Sequence, residues 1–424
     1  MGWEHLGVAV RISYLLSTRK PTSYDRARMP VSSFSDDQAR VLERLLAWSL
    51  KPDSRSITLG GYAGTGKTTV TAALRRELAV ARPDMRIAFC SYTGKASQVL
   101  RQTLIAQGAL YPQDSCGTIH SLLYSPVTSA DGNIIGWMRS KEVEVDLIIV
   151  DEASMVTDTI WQDLLTTKLP VLAVGDHGQL PPIEGNFNLM NKTDLKLEHI
   201  HRQAEGNPII QLAQEARMHG KIPVGDFSNS VRKFSYATHE ASDVGDIVDH
   251  LLSNVHDDML ILCGYNKTRV NLNKSVRQKL GRESDDPEGG DRIVCLKNTY
   301  AIPGSPIYNG MVGTLDSVWE EGEHWYAASV AFADEERQFD GLISRHQFNK
   351  PQTIMTVPGL EPKKIGERFD YGYALTVHKS QGSQAKTVLL FEERFPKSND
   401  EEWRRWLYTA VTRARENLYI VGRD

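Results

Sequence analysis

The sequence predicts an α/β protein with two parallel-sheet domains in tandem, and three observations carry that expectation. A glycine-rich loop of the phosphate-binding pattern joins a β-rich run to a helical segment. Short apolar β-rich runs alternate with helical segments in two separate series, the rhythm of a parallel sheet covered by helices. Two stretches break the rhythm and read as insertions, one in each half.

Composition allows this and narrows the alternatives. Hydrophobic residues make up 41% of the 424 and charged residues 24%, enough for more than one core. The 49 Lys and Arg face 53 Asp and Glu, for a net charge of -4. A binder that is basic all over is excluded, whereas a local basic groove is not. The four cysteines, Cys90, Cys116, Cys263 and Cys295, form no CxxC pair, which argues against zinc ribbons and disulfide scaffolds. No apolar run approaches the ~20 residues that span a bilayer. The stretch Leu6 to Leu16 is interrupted by Arg11 and has no small-residue cleavage site after it. Neither a signal peptide nor a membrane anchor is expected, and the cysteine pattern suits a reducing cytosol.

Taken in order, residues 1–30 carry Arg11, Arg19, Lys20, Arg26 and Arg28 against Glu4 and Asp25, without a clear period. They read as a loosely attached tail or a small basic arm that touches nucleic acid. Ser35 then precedes an apolar-periodic run through Val41, Leu42, Leu45 and Leu46, a capped helix. Strands are expected at Ser56–Leu59, Ile87–Cys90, Leu147–Val150 and Val171–Val174, and a second series at Met259–Cys263, Tyr373–Thr376, Thr387–Leu390 and Leu418–Val421. The first domain is placed at 31–200 and the second at 201–424. Asp131-Gly132-Asn133 between apolar-rich pieces marks a β-hairpin at about 125–144. Several β-like runs between turn residues mark a small β-barrel at about 310–368.

Gly61-Tyr-Ala-Gly64-Thr65-Gly66-Lys67-Thr68 fits G-x-x-x-x-G-K-[ST] in the strand-to-helix context that pattern requires. Glycines let backbone N–H groups turn inward around phosphate oxygens, and the helix N-terminus adds a positive dipole end. Lys67 would reach the β- and γ-phosphates, with Thr65 and Thr69 flanking the cradle. The Thr68 hydroxyl would ligate Mg²⁺. The run Asp146–Val150 ends in Asp151-Glu152. Carboxylates at the carboxyl end of a buried strand lie beside the phosphate loop in such sheets. Asp151 is expected to hold Mg²⁺ and Glu152 to polarise the attacking water.

Further motifs follow in order: Gly175-Asp176-His177-Gly178-Gln179-Leu180-Pro181-Pro182, Thr376-Val-His378-Lys379-Ser-Gln381-Gly382, and Tyr408-Thr-Ala-Val-Thr412-Arg413-Ala414-Arg415. This set resembles superfamily 1 DNA helicases, most of all the 5′-to-3′ branch that holds RecD and phage Dda. The resemblance runs from about Ser33 to Gly422. It implies two RecA-like domains, a wedge at the hairpin and an SH3-like barrel for the second insert. It also implies ATP hydrolysis with Mg²⁺, single-stranded and forked duplex DNA as partners, and a role in replication, recombination or repair. A monomer is expected, and single-strand-binding or replication proteins are the protein partners such motors meet.

By the same resemblance Gln38 matches the adenine-reading glutamine and Gln179 the γ-phosphate sensor. Arg202 and Arg413 match arginines that reach the γ-phosphate from the second domain. Gly382 falls with the nucleotide contacts. Thr93 and Lys95, Thr118 and His120, Asn266, and His378, Lys379 and Gln381 fall on the single strand. Tyr92 stands where relatives have Pro and Gln384 where some have Glu. Two competing readings are a translocase that strips proteins from DNA without unwinding and a nucleotide-dependent scaffold that does not turn over. Intact Lys67, Glu152 and Arg413 argue against the scaffold.

Overall fold

The computed structural model describes residues 34–423 apart from 129–133, 141, 183–186, 201–205, 236, 238–240, 298–306, 308 and 333–336. The tail expected at 1–30 and the candidate Arg202 lie outside the described residues.

Helix α1 (Asp36–Leu50) starts where Ser35 turns the chain, with the Ser35 N–H donating to Gln38 Oε1 at 3.3 Å. Its Val41, Leu42, Leu45 and Leu46 are buried, as their spacing requires. Strand β1 (Ser56–Gly61) feeds the phosphate loop and α2 (Lys67–Ala81). Then come β2 (Ile87–Ser91), α3 (Gly94–Ala106), β3 (Ser115–Thr118), the one-turn α4 (Ile119–Leu123), and the hairpin of β4 (Tyr124–Thr128) and β5 (Ile134–Arg139). Strands β6 (Leu147–Asp151) and β7 (Val171–Gly175), with α5 (Asp158–Thr166) between them, and β8 (Leu195–Leu197) complete the first sheet. Its order is β3-β2-β6-β7-β1-β8, and every pairing is parallel. Helices on both faces explain why β2 and β7 are buried along their whole length. Parallel strands also share an end, so Gly61, Asp151 and Gly175 emerge on one edge.

The second sheet is mixed. Helix α6 (Pro208–His219) precedes β9 (Gly225–Ser228) and β10 (Val231–Ser235), an antiparallel pair at the sheet edge. Helix α7 (Ala241–Ser253), β11 (Met259–Cys263) and α8 (Asn266–Lys279) follow. Strands β17 (Ala374–Thr376), β18 (Ala385–Phe391) and β19 (Ala414–Gly422) pair in parallel, with α9 (Asp400–Val411) crossing between the last two. The order is β17-β11-β18-β19-β10-β9.

A third sheet has the order β15-β14-β13-β12-β16, antiparallel throughout: β12 (Arg292–Cys295), β13 (Val312–Glu321), β14 (Trp325–Phe332), β15 (Arg337–Ser344) and β16 (Phe369–Tyr371). Two of its strands lie outside 310–368, so the inserted sheet is wider than the span read from the sequence. Leu315, Val330 and Phe339 share one apolar cluster with Ile261 and Leu389 of the second sheet. The hairpin is held at its base, where Arg139 pairs with Asp163 of α5 and the Tyr124 hydroxyl donates to the same carboxylate. The hairpin turn lies outside the described residues. Among the described residues no helix is long and apolar enough to cross a membrane.

Candidate nucleotide cleft and nucleic-acid groove

The phosphate loop is bent by glycine. Gly64 and Gly66 both have φ of 81°, a region other residues enter at a cost, and Gly66 is the residue at which α2 begins. A Cβ on Gly61 would stand 2.6 Å from Thr65 Oγ1, so only glycine allows the loop to fold back on itself. The Lys67 ammonium sits inside the bend and donates to the carbonyls of Gly61 (2.8 Å) and Tyr62 (3.1 Å). Thr68 and Thr69 follow in the first helical turn, half-buried. Gln38 is buried against the loop, its Nε2 donating to the Thr65 carbonyl at 3.0 Å.

Two strands over, β6 delivers Asp151 and Glu152. Burial, and then the neighbouring Glu152 charge, push the Asp151 carboxyl above the usual carboxylate range, while Lys67 pulls it back. Glu152 has φ of 52°, left-handed geometry that a residue with a Cβ adopts at a cost. Its Oε2 is buried with no hydrogen-bond partner among the described residues. Buried polar atoms are nearly always paired, so a strained carboxylate with an orphaned oxygen marks a group kept ready for something else. Gln179 repeats the pattern, with Oε1 buried and unpartnered among the described residues and Nε2 3.5 Å from Asp176 Oδ2.

The second domain supplies a cation to this edge. Arg413 is fully buried, held by the carbonyls of Thr409 (3.0 Å) and Ser383 (3.1 Å) and by Thr412 Oγ1 (3.2 Å). Burial lowers its pKa, and the charges of Glu152 and Asp176 act the other way, so it stands within electrostatic reach of both first-domain carboxylates. Lys67, Asp151, Glu152, Gln179 and Arg413 therefore converge on one cleft.

The donor set suits Mg²⁺, which takes one or two carboxylates and leaves its other positions to phosphates and water. Asp151 and the Thr68 hydroxyl fit that pattern. A divalent cation would also relieve the Asp151–Glu152 repulsion that raises the Asp151 pKa.

A second concavity of about 310 Å³ lies between the domains and is lined by Thr93, Lys95, His378, Lys379 and Gln381, together with Tyr92, Arg292 and Asn309. Several of these side chains hold the fold. Thr93 caps α3 by accepting from the Ala96 N–H (3.2 Å), and Thr118 caps α4 by accepting from the Ser121 N–H (3.1 Å). His120 packs between Tyr92 and Tyr124, both at 5.8 Å. Gln381 crosses the domain boundary and donates to the Leu180 carbonyl at 2.7 Å. Asn266, exposed at the start of α8, accepts from Arg269 Nε at 3.3 Å. Burial lowers the His378 pKa. Lys379 donates to Asn309 Oδ1 at 2.6 Å, and burial, then the Arg269 charge, bring its ammonium down to about 8.

Gly382 is placed on this side. Its φ is 71°, and a Cβ there would meet Met155 Sδ at 2.8 Å and Thr93 Oγ1 at 3.3 Å, so the glycine permits a close approach between the domains. Two contact residues were given no role by the sequence, although Tyr408 heads one of the motifs quoted above. Arg217 of α6 lays its guanidinium 3.8 Å over the Tyr62 ring. Tyr408 of α9 bridges Ala63 and Asp176. A lone arginine on a helix looks like a surface residue, and the motif headed by Tyr408 gives that tyrosine no contact; the juxtaposition of the domains supplies both contacts.

A phosphate loop on one α/β domain that faces a buried arginine of a second defines a P-loop nucleotide-binding protein of the tandem-domain class. The sequence matches the AAA domain family over residues 33–233 and the UvrD-like helicase C-terminal domain family over 371–421. It is 29% identical to the ATP-dependent RecD2 DNA helicase of Deinococcus radiodurans, covering 92% of this chain and 49% of that protein. It is 27% identical to the RecBCD enzyme subunit RecD of Mycolicibacterium smegmatis (86% and 68% covered) and 25% identical to the ATP-dependent DNA helicase dda of Enterobacteria phage T4 (88% and 96% covered). The relatives the chain is similar to are DNA helicases and helicase subunits of the RecD and Dda group. The chain spans about half the length of the Deinococcus relative.

Proposed function

We propose that this chain is an ATP-driven motor that moves 5′-to-3′ along single-stranded DNA and opens forked duplex ahead of it. The observation that carries the hydrolytic part is Glu152, a strained carboxylate with an orphaned buried oxygen, across from a buried arginine of the other domain. In this reading the loop amides and Lys67 bind the phosphates, and Glu152 takes the proton of the attacking water. Arg413 stabilises charge that develops on the γ-phosphoryl oxygens, a role that can be worth ~10³–10⁵ in rate. Mg²⁺, held by Asp151 and Thr68, would supply neutralisation of the phosphate charge. Gln38 selects adenine by exchanging its bond to the Thr65 carbonyl for the base edge. Arg202 joins Arg413 at the γ-phosphate.

The groove between the domains takes the strand, with Lys95, His378 and Lys379 toward it. ATP binding closes the cleft and hydrolysis reopens it, so contacts on the two domains tighten in alternation. Direction and duplex opening rest on the likeness to the RecD and Dda group, and the hairpin is assigned as the wedge. Forked duplexes with a 5′ or a 3′ single-stranded tail test this. Unwinding is expected from the 5′ tail alone, and a hairpin shortened across 126–137 should lose unwinding while keeping DNA-stimulated ATP turnover. Efficient unwinding from the 3′ tail would overturn the direction.

A further inference from the structure

Two consecutive residues of the phosphate loop are held by the opposite domain. Tyr62 lies under the Arg217 guanidinium at 3.8 Å, and the Ala63 N–H donates to the Tyr408 hydroxyl at 2.8 Å. Tyr408 is buried and donates in turn to Asp176 Oδ2 at 2.6 Å. A phenol has one proton, so donating it to the carboxylate leaves the oxygen lone pairs for the Ala63 amide, and the chain Ala63 → Tyr408 → Asp176 has a single direction. Burial and the adjacent Asp176 charge raise the Tyr408 pKa well above its ordinary value, which keeps that proton in place across the working range.

The relay ends on the loop that carries Gln179. Asp176 uses its other oxygen to accept from the Gly178 N–H at 2.9 Å, which sets the turn leading to Gln179. The next residue is tied to the second domain twice: the Leu180 N–H donates to Thr409 Oγ1 (2.9 Å), and its carbonyl accepts from Gln381 (2.7 Å). Thr409 follows Tyr408 on α9, and Gln381 lines the groove between the domains. One helix of the second domain thus touches the phosphate loop, the Gln179 loop and, through Leu180, a groove residue.

We propose that Tyr408 is a positioning residue that couples the two ligand sites, transmitting the position of the phosphate loop through Asp176 to the Gln179 loop and so to the domain boundary along the DNA groove. The proposal rests on the reading of the chain as a DNA-stimulated ATPase. Tyr408 acts through other groups, because both its hydrogen bonds go to protein. A relay of this kind biases two domain arrangements only if it is made in one and broken in the other.

Tyr408→Phe removes the hydroxyl and keeps the ring, and Asp176→Asn removes the charged acceptor. Three measurements on the full chain test the relay. Hydrogen exchange without nucleotide should show faster exchange in Tyr408→Phe for the segments 60–66 and 176–181 alike. The kcat of ATP hydrolysis in saturating single-stranded DNA should fall at least ~10-fold, with KM for ATP changed less than ~2-fold. The double variant should be no slower than the worse single one, because residues in one network are not additive. Wild-type-like stimulation by DNA in Tyr408→Phe, exchange changed only at 60–66, or losses that multiply in the double variant would each overturn the relay. If the wild-type chain itself shows no DNA-stimulated hydrolysis, the functional reading fails and the relay falls with it. If the wild type is stimulated and Tyr408→Phe is equally stimulated, the relay alone fails.

Discussion

The nucleotide cleft and the groove between the domains differ in how their polar atoms are spent. In the cleft, Glu152 Oε2 and Gln179 Oε1 are buried without partners among the described residues, and Glu152 sits in left-handed backbone geometry. In the groove, Thr93 caps a helix, Gln381 bridges the domains and Lys379 is bonded to Asn309. Unsatisfied, strained groups cost stability and persist where chemistry needs them. Satisfied groups contribute to the fold whatever else they touch. Substitutions in the cleft should therefore cost turnover more than stability, and substitutions in the groove should show the reverse balance.

The largest separation is expected at Glu152. Glu152→Gln should lower kcat at least ~10²-fold, as loss of a general base implies. Its urea midpoint should not fall, because the substitution also removes a charge that repels Asp151. A clear loss of stability with near-normal turnover would reverse the contrast. Arg413 stands between the two types, since it lies within electrostatic reach of the cleft carboxylates and is held by three hydrogen bonds. Arg413→Ala should cost ~10³-fold in kcat and also about 2 kcal/mol in urea unfolding. Arg413→Lys should not restore turnover, because an ammonium lacks the planar fork.

Lys379 gives a pH test of the groove. Its pKa is lowered to about 8, so the ammonium loses its proton as pH rises through that value. If it faces DNA phosphate, single-strand affinity should fall between about pH 7 and 9, and Lys379→Arg should flatten the fall. For folding the sign is opposite. The buried charged form is the disfavoured one, so the penalty is present below the folded pKa and is relieved as pH rises from about 8 toward the unfolded value. The smallest effect is expected at Thr118. Thr118→Ala should cost about 1 kcal/mol through the lost cap, and Thr118→Ser should restore it.

The sequence was most legible where local pattern decides structure. The strand runs around Ser56, Ile87, Leu147, Val171, Met259, Thr387 and Leu418 all lie in strands, because buried parallel strands are continuous apolar runs. It was least legible where partners decide. The Leu195–Leu197 strand has three residues and exists because Leu195 pairs with Leu59. Arg292–Cys295 joins the inserted sheet by pairing with Val312–Glu321, and Phe369–Tyr371 by pairing with Arg292–Cys295 across about 75 residues of chain, a choice no local window displays. In the cleft, Lys67, Asp151 and Glu152 were readable because their spacing is tied to a strand–loop–helix unit. The contacts of Tyr408, which heads a motif, and of Arg217 were not, since they cross from one domain to the other. Gly382, expected with the nucleotide, stands beside Thr93 and Met155 because the fold needs a residue without a Cβ there.

The most direct test of the account is ATP turnover by the purified chain, titrated with single-stranded DNA and compared with Lys67→Ala. The account predicts saturable stimulation of at least ~10-fold in the wild type, and loss of turnover with single-strand binding retained in Lys67→Ala. Turnover indifferent to DNA, or equal turnover in Lys67→Ala, would contradict it.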